Sequence, residues 1–166
     1  MDKAILFHCE ALELFSSPHP DQSHSLNNLA DALNTQFDQS GKCQDLEDAI
    51  SWYKAALELS PPPHLNQPSF LDNFAVVLRK KFEQSGQCGY LDQTISTFHE
   101  SLNALICGHP STCLISTNLA VALMCVYSHT HKLEYLDKAI AAYWTVVACD
   151  TAPTSDYFHV ATSWAH

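Results

Sequence analysis

One interval constrains this chain more than any other feature. Moved along itself by 45 residues, the sequence matches itself without a gap for three copies. Leu29 falls on Phe74 and Leu119, Ala30 on Ala75 and Ala120, Leu33 on Leu78 and Leu123, and Phe37 on Phe82 and Tyr127. Further on, Leu46, Leu91 and Leu136 correspond, as do Ile50, Ile95 and Ile140, then Tyr53, Phe98 and Tyr143. A period of this size marks a stacked array, in which each unit buries its apolar face against its neighbours.

Within a unit the apolar spacing is helical. Leu26, Leu29, Ala30, Leu33 and Phe37 recur every three or four residues, and Leu46, Ala49, Ile50, Tyr53 and Leu57 repeat the pattern. Two amphipathic helices therefore make one unit, and no stretch alternates as a strand would. Gly41 and Gly86 supply the break between the helices, Asp45 with Asp48 is expected to cap the second helix, and Pro61-Pro62-Pro63 is expected to stop it, as are Gly108-His109-Pro110 and Pro153. The units run 24–68, 69–113 and 114–158; residues 1–20 match the second helix of a partial unit, and 159–166 begin a further helix. The fold class is all-α: about seven helices in antiparallel pairs, as in an excerpt from a longer array.

Composition narrows the function. The net charge of −10 leaves no broad basic field for phosphates, so nucleic acid is not an expected partner, and the Arg79-Lys80-Lys81 cluster reads as a solvated helix end. The longest apolar run, Leu119 to Tyr127, is about half of what a bilayer crossing needs, so no membrane is expected. Seven cysteines without a C-x-x-C pair fit reduced thiols in the cytoplasm.

Sites for chemistry are few. Cys107, His109 and Cys113, with Cys125, His129 and His131 beyond, make the best metal candidate, yet His109 is the repeat equivalent of His64 and His19, which marks a turn residue. Cys43 and Cys88 are repeat equivalents too, and a nucleophile recurring once per unit is read as structural. With no phosphate cradle and no acid pair, neither enzyme activity nor a cofactor is expected.

Leu26-Asn27-Asn28-Leu29-Ala30, followed by Ala49-Ile50-x-x-Tyr53-x-x-Ala56-Leu57-Glu58-Leu59 and a proline stop, resembles the tetratricopeptide repeat. Pro18-His19-Pro20-Asp21 before Leu26 is similar to the kinesin-light-chain type, and Phe37-Asp38-Gln39-Ser40-Gly41 resembles arrays of fungal proteins that end in a caspase-like CHAT domain. The unit is 11 residues longer than the common 34-residue form, about seven of them between the helical cores, which longer helices would absorb. The resemblance implies a right-handed superhelix and a concave groove for a protein or peptide, walled by Asn27, Asn28 and Asp31, by Asp72, Asn73, Val76 and Arg79, and by Thr117, Asn118 and Val121. Asn28, Asn73 and Asn118 fall on one line, where their amides either hold an extended backbone or bond inside the array. It implies as a second possibility the regulatory arm of a protease-type protein whose catalytic domain lies elsewhere.

The third first-helix is apolar all round, where the first carries Asp31, Asn34, Thr35 and Gln36. Val121, Met124 and Cys125 are accordingly a candidate patch for a C-terminal segment or a partner, or else part of a wider core.

Overall fold

The computed structural model describes residues 21–105 and 109–148, with Phe7. These form six helices: α1 (Gln22–Ser40), α2 (Cys43–Glu58), α3 (Gln67–Ser85), α4 (Cys88–Ala104), α5 (Ser111–Thr130) and α6 (Leu133–Ala148). No strand occurs among the described residues, and the helices stack as antiparallel pairs in an all-α solenoid. The helices expected before residue 21 and after 158 lie outside the described residues, as do Cys107, Gly108 and Pro153.

The two helices of a unit turn back on each other through two residues. Gly41 and Gly86 take left-handed φ values of 67° and 68°, and their N–H groups close the first helix onto Phe37 and Phe82. In the third unit His131 keeps the same geometry with φ 54°, its N–H bonded to the Tyr127 carbonyl at 2.7 Å. A side chain at that position pays the steric cost that glycine avoids.

The second helix starts earlier than Asp45 suggests. Lys42 and Gln87 are the extended residues before α2 and α4. Their amides are met from behind: the hydroxyls of Ser40, Ser85 and Thr130 accept from the N–H groups of Lys42, Gln87 and Lys132 at 3.2, 3.3 and 3.4 Å. Asp45 instead lies in the first turn, where its charge suits the helix dipole and it accepts from the Ser40 hydroxyl. Before the first helices, His64 and His109 accept the N–H groups of Asn66 and Ser111 through Nδ1. Pro110 does not stop α4, which ends at Ala104; it stands at the start of α5.

The extra length of the unit sits in the helices, since the first helices run 19, 19 and 20 residues. Their inner faces make two main clusters. One joins Leu29, Leu33, Leu46, Ile50 and Tyr53 to Phe74 and Leu78 of the next unit; the other joins Ala75 and Phe98 to Ile115, Leu119 and Leu123. Ala30, Ala75 and Ala120 are fully buried, which lets the backbones approach. α5 is long and apolar enough to cross a membrane by length and composition, yet Leu119, Ala120, Leu123 and Val126 are core.

Curvature follows from which helices touch. Successive first helices meet, α1 on α3 and α3 on α5, whereas successive second helices come no closer than a marginal contact. The first helices therefore line the inner, concave face.

Candidate functional site: the concave face

A line of polar side chains runs along the seams between first helices. The Asn73 amide donates to Asn27 at 3.4 Å, the Asn118 amide to Asp72 at 3.0 Å and Lys80 Nζ to Asn34 at 2.8 Å, each pair 46 residues apart. Asn73 and Lys80 also reach the residue one turn further on, Asp31 and Asp38, so each donor sits between two residues of one face of the preceding first helix. The amides at 73 and 118 thus tie unit to unit, neither bonding within their own helix pair nor standing wholly open to a ligand.

Asp31 is the node of the first seam. It accepts from the Tyr53 hydroxyl of its own unit, from the Asn27 amide at 3.0 Å and from Asn73 at 3.4 Å. Burial raises its carboxyl above the usual value, and the bonds from Tyr53 and Asn27 oppose that rise. The Tyr53 phenol is pushed up by burial and then by the adjacent Asp31 charge. Asp72 is likewise raised by burial, with the Asn118 bond acting against it.

The second unit replaces this node with hydrocarbon, and the third keeps the tyrosine but not the carboxylate. Val76 and Val121 stand where Asp31 does, and Phe98 and Tyr143 where Tyr53 does. Val76 packs against the cluster that contains Phe98.

The cations of the face are committed. Arg79 pairs with Glu83 on its own helix, Lys80 with Asp38 at 2.6 Å and Lys81 with Glu47 at 2.9 Å. The solvated helix end expected of this triplet is not what forms: Lys81 is only 7% exposed, because its stem lies in the seam while its ammonium reaches a carboxylate on α2.

Of the expected groove residues, Asn27 and Asp72 are buried in the seams; Asp31, Asn73, Val76, Arg79, Thr117 and Asn118 are half-buried; Asn28 and Val121 are exposed. Of the apolar patch, Val121 is 38% exposed, while Met124 packs on the Phe98–Leu119 cluster and Cys125 on Phe82, Leu91 and Val126. The Cys125 thiol is raised by burial and by Glu83, against the pull of Arg79. Lys80, Asn34 and Asp38 belong to the face and were missed, because the signal is a pair of offsets, 46 and 42, visible only once the helices are docked. Among the described residues no three His, Cys, Asp or Glu side chains come together as a metal site would need.

No curated protein matches the chain. A family model described as tetratricopeptide repeat matches residues 23–64, the span of α1, α2 and the turn to His64. That match, on a unit that the chain then repeats, supports a tetratricopeptide array.

Proposed function

We propose that the chain is a non-catalytic binding scaffold whose concave face holds a protein or peptide segment. The observation that carries this reading is the internal satisfaction of the seams. Asp31, Asp72 and the three cations are all paired within the array, so the wall is held in one shape and a ligand meets Asn28, Val121 and the outer edges of Asn73 and Asn118. Pre-organisation of this kind lowers the entropy cost of binding. The first unit offers acceptors and the third an apolar side chain, which suits a segment with donor groups at one end and an apolar anchor at the other. With Arg79, Lys80 and Lys81 neutralised, an acidic segment has no cation to meet there.

The test is selection of peptides from a random library on the purified protein, followed by calorimetry with an Asn28→Lys, Val121→Glu variant. Selected peptides should lose about tenfold or more in affinity. Peptides that bind the variant as well as the parent would place the binding surface elsewhere.

The likeness to arrays ending in a caspase-like domain supports a second reading, a regulatory arm of a longer protein. A transcript that runs past His166 into such a domain would establish it. The same reading sets the protein in the cytoplasm, where Cys43, Cys88, Cys113 and Cys125 stay as free thiols; a fluorescent fusion tests the location.

A further inference from the structure

Behind the concave face the second helices splay, and the space between each pair has a first helix as its floor. Two such wedges, each about 500 Å³, lie one repeat apart. The first, between α2 and α4, has Leu71 and Phe74 of α3 in its floor and a polar wall on α4 made of Gln93, Ser96, Thr97 and Glu100. In the second, between α4 and α6, the equivalent positions are Ser116 and Leu119 on α5, then Lys138, Ala141, Ala142 and Thr145 on α6. The floor shrinks and the wall becomes apolar. A carboxylate is lost and an ammonium gained.

The first wedge acts as an internal control. It stays open although the units on both sides of it are present, so this kind of opening is not the face on which a following unit would stack. Its size also decides what fits. A helix some 10 Å across takes roughly 400 Å³ per turn, so the wedge holds about one turn of peptide helix, whereas it lies in the common range for small-molecule sites. Lys138 lines the second wedge, with its ammonium 5.4 Å from the Tyr135 ring centre, and it has no ion pair among the described residues, unlike Arg79, Lys80 and Lys81. An apolar space beside a cation that meets a ring face but no carboxylate among the described residues calls for an amphiphile with an anionic head.

We propose that the wedge between α4 and α6 binds a single-chain aliphatic carboxylic acid. The chain lies against Leu102, Leu119 and Leu123 and along the alanine wall of α6, and the carboxylate pairs with Lys138. This site is on the opposite face from the peptide groove and stands apart from it.

Calorimetric titration of the intact chain with dodecanoate, below the concentration at which it forms micelles, tests the assignment. One-to-one saturable binding is expected, weakened about tenfold or more by Lys138→Glu and abolished by Ala141→Phe, with dodecyltrimethylammonium at least about tenfold weaker on the parent protein. Ala141 is exposed, so its variant should keep its helical circular dichroism; should it unfold, Lys138→Glu and the cationic amphiphile still decide. Absence of saturable dodecanoate binding, indifference to Lys138→Glu, or equal affinity for the cationic amphiphile would overturn the proposal.

Discussion

The amide of Asn118 on α5 donates to the carboxylate of Asp72 on α3 at 3.0 Å, across the seam between two units. Asp72 is 7% exposed, so this bond is its principal compensation for leaving water. Asn118→Ala leaves a buried carboxylate without its donor and should destabilise the array by about 1–3 kcal/mol. The urea midpoint would fall, whereas an unchanged midpoint would mean that water replaces the amide.

Because burial raises Asp72, its folded form holds a proton at pH values where the unfolded form, near 3.8, has lost it. Its contribution is therefore greatest below 3.8 and is lost as pH rises through the folded value. Asp72→Asn keeps an acceptor for Asn118 and carries no charge. It should be more stable than the parent at neutral pH, with the advantage shrinking as pH falls toward 3.8, as paired urea titrations would show. An advantage that grows on acidification would reverse the assigned sign.

The turn residues can be exchanged. His131 holds φ 54° where Gly41 and Gly86 hold 67° and 68°. His131→Gly should raise stability by about 0.5–1 kcal/mol, the relief of strain exceeding the entropy of the freer unfolded chain. Gly41→Ala should lower it by about 1 kcal/mol through backbone strain alone, since an added Cβ meets nothing within 4 Å. Thermal melts of the two variants should move in opposite directions.

Asp31 with Tyr53 and Val76 with Phe98 are two solutions at one repeat position. Val76→Asp alone should cost about 2–4 kcal/mol, and adding Phe98→Tyr should restore about 1 kcal/mol by supplying the hydroxyl. A double-mutant cycle measures this coupling, and a value near zero would mean that the two units do not share that geometry.

Ala75 is fully buried where α3 meets the core. Ala75→Leu overpacks that contact and should cost about 1–3 kcal/mol in melting experiments.

The helix pairs and their core were legible in the sequence, since Leu29, Ala30 and Leu33 recur with a period that only stacked helices satisfy. The glycine turns were legible as well. The cap at Asp45 was misplaced because Ser40, on the preceding helix, answers the amide of Lys42 from outside the second helix. The character of the concave face was only half legible. Asn73 and Asn118 were found by their alignment, but alignment pairs residues 45 apart, and the bonds join residues 46 or 42 apart. Those offsets are a property of docked helices. Lys80 and Lys81 escaped for the same reason, their partners lying in other helices.

First helices that touch, behind second helices that barely do, give the array unequal stiffness across its thickness. The inner edge is laced by side-chain bonds, while the outer edge is free to widen or close. Such a body bends like a leaf spring anchored along one side: its inner contour keeps its length as curvature changes, and the change in spacing falls on the outer intervals.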